Sequence, residues 1–248
     1  KPNEFIAYLL RSEMPGTAAA QLKAAGLVSS FNVSVNPDFY GNYGSLAIDM
    51  NLTDAGMQQR EAITAVVMQY LDLIKQQGVD SKYYNEIKTS LANQFQFLEK
   101  TDGFGYASGL TAAMLKLPVK HAVAAPYIYE RFDAEAVNNV LTQLTPANLR
   151  VWYISKQEPH DSELIRHVGK YKIVDISAEE QAAWQQPLVA LNLPMVNRLL
   201  PESFAIKARS AQQKPELVVE QPGIAAWLYP SQVFADQPKG RLDIVLNS

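Results

Sequence analysis

The spacing of apolar and polar positions changes along the chain, and each change marks an expected element. Over residues 3–11 apolar Phe5, Ile6, Leu9 and Leu10 recur at helical spacing, with Pro2 where a first-turn proline is tolerated, so a helix is predicted. Pro15 and Gly16 interrupt it. Residues 17–25 are alanine-rich and end at Gly26, a residue suited to a helix C-terminus, which predicts a second, short helix. The period then falls to two. Phe31, Val33 and Val35 alternate with Ser30, Asn32 and Ser34, and Leu46, Ile48, Met50 and Leu52 alternate with Ser45, Ala47, Asp49 and Asn51. A turn rich in Asn, Pro and Gly separates the two runs, so they read as a half-buried antiparallel pair.

The helical period returns after Thr53 or Asp54, either of which can cap a long helix whose Ile63, Val66, Val67, Tyr70, Leu73 and Ile74 form one apolar stripe ending near Gly78. Asp80 opens another helix, carrying Tyr84, Ile87, Leu91 and Phe95. Helical patterns follow at 106–116 and 133–144, and compact apolar strands are expected at 149–154 and 171–176. Ser177 and Glu180 have the spacing of a capping box, opening a helix through Trp184. The order β-β-α-α-α-α-β-β-α, with strands in pairs, predicts an α+β fold: a two-layer sandwich of helices on one face of a mostly antiparallel sheet. From Pro187 onwards Pro194, Pro201, Pro215 and Pro222 punctuate a stretch read as an extended connector. Strands are then expected at 224–229 and 242–246. A chain that begins at Lys1 with no leader pattern and stops on a first hairpin is read as an internal piece of a longer polypeptide.

Composition narrows the function classes. At 248 residues and 48% hydrophobic, the chain can bury a sizeable core. Its net charge of −3 supplies no basic field for nucleic acid and no polybasic segment for an anionic membrane, and no apolar run is long enough to span a bilayer. Neither nucleic acid nor membrane is expected as a partner. Without cysteine there is no disulfide framework and no thiolate chemistry.

Candidate chemistry is sparse. The histidines are His121, His160 and His167, and none forms the His-x-x-x-His or His-x-x-Glu-His helix that sets two imidazoles and a general base around zinc. His160, Glu163 and His167 would share a helical face, but Pro159 and Asp161 make a charged, solvated turn the better reading. Gly103, Gly105 and Gly109 depart from the dinucleotide fingerprint and follow a helix instead of a strand, so they read as a helix-to-helix loop. No serine lies in a Gly-x-Ser-x-Gly elbow. Phe95, Phe97, Phe104, Tyr127, Tyr129, Trp152 and Tyr153 stand among apolar residues instead of Lys and Arg, and read as core.

Several runs, taken in order, resemble the insulysin/pitrilysin family of inverzincin zinc metallopeptidases. They are Arg11, Ser12, Glu13, Met14, Pro15 and Gly16, followed by Leu22, Lys23, Ala24, Ala25 and Gly26; then Leu52, Thr53, Asp54, Ala55 and Gly56. Trp152, Tyr153, Ile154, Ser155 and Lys156 follow with Glu158, Pro159 and His160, then Leu200, Pro201, Glu202, Ser203 and Phe204, Pro215, Glu216 and Leu217, and Tyr229, Pro230 and Ser231. The resemblance extends over essentially the whole chain. It implies a parent of four homologous α/β domains in two halves, closing into a chamber around unfolded peptides, with the zinc helix in the first domain. Residues 1–186 then correspond to the second domain without its leading strands, 187–222 to the connector between halves and 223–248 to the start of the third domain.

The same resemblance implies that this segment is non-catalytic, binds no zinc itself, and belongs to a periplasmic zinc metalloendopeptidase acting on small unfolded peptides, with the remaining domains of the polypeptide as partners. The alternative is a segment of a non-catalytic, processing-peptidase-like scaffold subunit. The family's second domain carries an edge strand that takes up peptide by β-augmentation. The matching positions are Arg11, Ser12, Glu13 and Gly16 in a loop, and Phe31, Asn32, Val33, Ser34 and Val35 in a strand. Ser12 stands where insulysin has a histidine, and Val33 and Ser34 where it has glycines. An edge strand offers unpaired N–H and C=O groups to any extended chain; an ordinary internal strand is the other reading of residues 31–35.

Overall fold

The computed structural model describes residues 1–39, 42–99, 101–166, 168–186, 188–201, 203–205 and 214–229. They fall into two units, residues 1–198 and residues 199–248. In the first unit the architecture is helices with small antiparallel sheets.

The first helix, α1 (Pro2–Leu10), is the centre of the core. Phe5, Ile6, Ala7, Leu9 and Leu10 have no exposed surface at all, which requires neighbours over more than half of the helix circumference. Each large apolar side chain so buried contributes about 1.5–3 kcal/mol. The second helix, α2 (Ala18–Ala24), is capped by Thr17, whose buried hydroxyl oxygen accepts from the Ala20 N–H at 3.4 Å and lies 2.7 and 2.8 Å from the carbonyl oxygens of Ser12 and Met14. It ends as its sequence predicts: Gly26 takes φ +66°, its N–H bonds to Lys23 O at 3.0 Å, and Leu27 N–H bonds to Leu22 O at 3.1 Å, the paired bonds of a Schellman motif.

The predicted hairpin is β1 (Val28–Phe39) and β2 (Tyr43–Leu52), antiparallel, with Phe31 opposite Met50, Val33 opposite Ile48 and Val35 opposite Leu46. Phe31, Val33, Leu46, Ile48 and Met50 pack on the core, while Asn32, Ser34, Ala47 and Asp49 are exposed, as the period-two reading requires. Both α1 and α2 pack against β1.

The single long helix expected after Thr53 is instead three pieces: α3 (Asp54–Gln58), α4 (Arg60–Leu73) and a π-helical turn, Ile74–Gly78. The first break has a visible cause. Thr53 donates its N–H to Leu27 O at 3.0 Å and its hydroxyl to Gly26 O at 2.7 Å, which brings Gly56 against the same Leu27 carbonyl, and Gln59 leaves helical geometry at φ −114°, ψ 23°. From there α4 runs through the core with Ile63, Val66, Val67, Met68, Tyr70 and Leu71 buried, and the Tyr70 hydroxyl donates to Leu9 O at 3.3 Å. Capped by Asp80, α5 (Ser81–Gln96) packs against α1 and buries Tyr83, Tyr84, Glu86 and Ile87.

Two parts of the sequence reading are corrected. The helix expected at 106–116 is α6 (Gly103–Met114); Gly103, Gly105 and Gly109, read as a helix-to-helix loop, lie inside it, because the Asp102 carboxylate accepts the Gly105 N–H at 2.7 Å and starts the helix there. None of its residues is buried, so Phe104 is exposed, as are Phe95 and Phe97; of the aromatics read as core only Tyr129 is buried. After it, α7 (Ala134–Leu141) packs on α1 and buries Val137 and Leu141. Of the strands expected at 149–154 and 171–176, the first forms no ladder and the second pairs only at Tyr171. Only two-residue strands, β3 (Ser162–Glu163) and β4 (Lys170–Tyr171), pair there. No described strand pairs with residues 149–154 or 172–176, and Trp152 and Ile154 are 77% and 90% exposed. Tyr153 and Glu158 are held to α4 by polar contacts: the Arg60 guanidinium lies 4.5 Å from the Tyr153 ring centre and 2.5 Å from Glu158 Oε1. The helix expected after Ser177 is α8 (Ala178–Ala183), with Trp184 buried at its end.

In the second unit the described hairpin is β5 (Glu216–Gln221) and β6 (Ile224–Leu228), joined by Pro222 and Gly223, the latter at φ +80°. Proline followed by a positive-φ glycine is the signature of a type II turn. Residues 216–221, read as connector, are thus a strand paired to the predicted one, whereas 242–246 lie outside the described residues.

The Thr53 junction yields a test. A Cβ at Gly56 would stand 1.9 Å from Leu27 O, a backbone atom that cannot swing aside, so Gly56→Ala is expected to cost about 3 kcal/mol. Thr53→Ala, which removes a cap and a cross-link, is expected to cost about 1 kcal/mol. Urea unfolding of both variants checks the order; a Gly56→Ala protein as stable as the parent would refute the account.

Candidate functional site

The loop between α1 and α2 spans residues 11–17. Arg11 caps α1 through its N–H to Ala7 O at 2.9 Å, is exposed, and meets Glu4 at 3.5 Å, a surface pair of little energetic weight. The Ser12 hydroxyl oxygen accepts the Met14 N–H at 3.4 Å, and Glu13 pairs with Lys23 of α2 at 2.6 Å. Gly16 takes φ +89°, a conformation that favours glycine. Its carbonyl is already occupied: it accepts the Asn192 N–H at 2.8 Å.

The second set of sequence-predicted residues lies on β1. Phe31 is buried and Val33 and Val35 half-buried, while Asn32 and Ser34 are exposed. The β1–β2 sheet has two strands, so among the described residues one edge of β1 carries no strand. Alternate residues of β1 turn N–H and C=O groups toward that edge. Since α1 and α2 both pack on β1 and the loop joins them, loop and strand are carried by the same pair of helices.

Sequence reasoning missed Asn192 and the segment around it. Gln21 of α2 donates to Ala190 O at 3.3 Å, so residues 190–192 lie across the loop and the adjoining helix. A signal existed: Val189, Leu191 and Leu193 alternate with Ala190 and Asn192, a short period-two run.

No metal centre assembles among the described residues, where no group of three or more His, Cys, Asp or Glu side chains could hold an ion. His121 ends a single 3₁₀ turn, the exposed His160 has its Nδ1 3.4 Å from Glu158 O, Glu163 is in β3, and His167 lies outside the described residues. The described residues do not fit a zinc ion. No helix among the described residues is long and apolar enough to cross a membrane.

The described residues set a two-stranded antiparallel hairpin among helices, with one strand edge open. Comparison with known proteins supplies the family. Residues 1–91 match the domain described as "Peptidase M16 inactive domain" and residues 95–248 match "Middle or third domain of peptidase_M16". The chain belongs to the peptidase M16 family. It is 35% identical over its whole length to Protease 3 of Escherichia coli strain K12, spanning 26% of that protein, and 27% identical to a nardilysin-like protein of Arabidopsis thaliana, over 94% of this chain and 24% of that one. The crystal structure of pitrilysin superimposes with a TM-score of 0.85 at 35% identity, over 96% of this chain and 26% of pitrilysin. The chain thus spans about a quarter of the length of these relatives.

Gly16 offers the second test. A Cβ there would meet Asn192 Nδ2 at 2.8 Å and Asn192 Cβ at 2.9 Å, on a backbone that disfavours L side chains. Gly16→Ala is expected to lower stability by about 2 kcal/mol and to loosen residues 190–192, read as faster amide exchange at Asn192. Unchanged exchange at that amide would show that the segment does not rest on the loop.

Proposed function

We propose that this chain is a non-catalytic, chamber-wall and peptide-binding segment of a zinc metalloendopeptidase that degrades small unfolded peptides. The single observation that carries the reading is the β1 edge: a strand with exposed Asn32 and Ser34, no strand on one side among the described residues, and membership of a peptidase family whose description for residues 1–91 is an inactive domain. An extended peptide adding to that edge would be held through its main chain, which binds unfolded segments without demanding their sequence. Arg11, Ser12 and Gly16 lie at the loop on the same helices; Gly16 acts through its shape, its carbonyl being committed to Asn192.

Zinc in this reading belongs to another domain of the parent polypeptide and supplies the hydrolytic chemistry there; this segment's part is to bind and orient. A periplasmic setting is part of the same reading, supported by the similarity to a bacterial Protease 3. The exposed apolar stretches at 151–154 and 173–174 support the remaining domains as partners, since Trp152, Ile154, Ile173 and Val174 are the kind of surface that another strand or domain covers.

The test uses a long unfolded peptide and the intact protein. Ser34→Pro removes a main-chain N–H from the strand and is expected to weaken peptide binding about tenfold while shifting the thermal midpoint little. Hydrogen exchange locates the contact independently: bound peptide should protect alternate amides within residues 31–35. Unchanged affinity, or protection elsewhere with none on β1, would remove this strand from the binding site.

A further inference from the structure

Residues 188–197 belong to no helix and pair with no strand. From Gln186 onwards their backbone is satisfied by the elements beneath, at every second residue. Gln69 Nε2 donates to Gln186 O, and the Leu188 N–H donates to Gln69 Oε1 at 3.3 Å. Gln21 donates to Ala190 O at 3.3 Å, the Asn192 N–H to Gly16 O at 2.8 Å, and the Tyr83 hydroxyl to Pro194 O at 2.7 Å. Successive even-numbered residues therefore turn a backbone group to the helical layer, the alternation of a β-strand whose ladder has been replaced by α2, α4, α5 and one loop carbonyl. Leu191 and Leu193 pack on the core, and Pro194 is buried.

At the far end stands Glu86, only 5% exposed and without a part in the loop or the β1 edge. Its Oε2 accepts the Asn197 N–H at 2.9 Å and its Oε1 accepts the Tyr8 hydroxyl of α1. A buried carboxylate persists only when its oxygens are satisfied, and a bond to a charged acceptor is among the stronger ones available to a backbone N–H. Burial, reinforced by Glu86, pushes the Tyr8 phenol well above its ordinary pKa, so it stays a donor.

We propose that residues 188–197 form a strap latched at one end by Glu86, and that the strap, through Asn192 on Gly16, positions the Arg11–Gly16 loop. The proposal rests on the reading of that loop as part of a peptide-binding site. The buried Pro194 and its Tyr83 bond stand between Asn192 and Asn197 as a second anchor, so release at Glu86 reaches the Gly16 contact only in the measure that Pro194 yields, and Tyr83 is the nearer hold on Asn192. Glu86 is a positioning residue: it acts on the loop through the strap and makes no contact with it.

Amide exchange in the intact protein, read residue by residue, tests this with and without the unfolded peptide. Glu86→Ala is expected to speed exchange at Asn197 at least about tenfold and at Asn192 by a smaller factor, while Leu9 and Val67 of the core keep their protection. Glu86→Gln, which retains an acceptor, should restore most of it. Tyr83→Phe deletes only the hydroxyl on Pro194 O, the nearer anchor, and should speed Asn192 more than Glu86→Ala does, which keeps the test open should Glu86→Ala fold poorly. Release at Asn197 with no change at Asn192, no response at Asn192 in Tyr83→Phe, or loss of protection throughout the core would overturn the latch. Loosened Asn192 with unaltered peptide affinity would instead leave the strap standing and remove the loop from the peptide site.

Discussion

The structure depends on one constraint: α1 is sealed from water over a broad face, with Glu4 its one exposed residue. A nine-residue helix whose Phe5, Ile6, Leu9 and Leu10 are all sealed must be enclosed, and β1, α5, α7 and the π-helical turn Ile74–Gly78 are the walls. Its polar atoms are drawn into the same enclosure. Leu9 O receives the Tyr70 hydroxyl, and the Tyr8 hydroxyl reaches Glu86, so the apolar centre is laced by hydrogen bonds from α4 and α5. The hairpin, the loop and the strap are positioned because each is attached to an element that α1 has already fixed.

That dependence explains which parts can be read from sequence. Local signals with one physical cause are legible: the alternation at Phe31, Val33 and Val35, the Asp80 cap and the Gly26 ending are decided within a few residues. The split of α3 from α4 is not, because its cause is Leu27 O, far upstream of Gly56. The apolar run at 149–154 has the composition of a strand but not the neighbour a strand needs, and composition cannot report a missing neighbour. The glycines of α6 disguise only where it begins: the helical pattern is legible from residue 106, while Asp102 opens the helix at Gly103 through a local bond.

The candidate site divides in the same way. The outward Asn32 and Ser34 follow from period two alone, and the Arg11–Gly16 loop stands out through its resemblance to one family. The occupied Gly16 carbonyl does not, since its partner Asn192 lies far along the chain in a stretch whose prolines suggest a featureless connector. Side chains that bond backbone, as Gln21, Gln69 and Tyr83 do, leave no periodic trace of their own in a sequence.

The junction at Leu27 has a further consequence. Thr53 and Gly56 weld the end of β2 to the beginning of β1, so the hairpin is locked at its open end, opposite the turn. Register in most hairpins is dictated by the turn, and a residue gained or lost there flips every side chain beyond it. Here the reference point is the base. The tip of this hairpin is therefore the place where natural variation in length is cheapest, because added residues extend the strands outward and leave Phe31 and Val33 packed on the core.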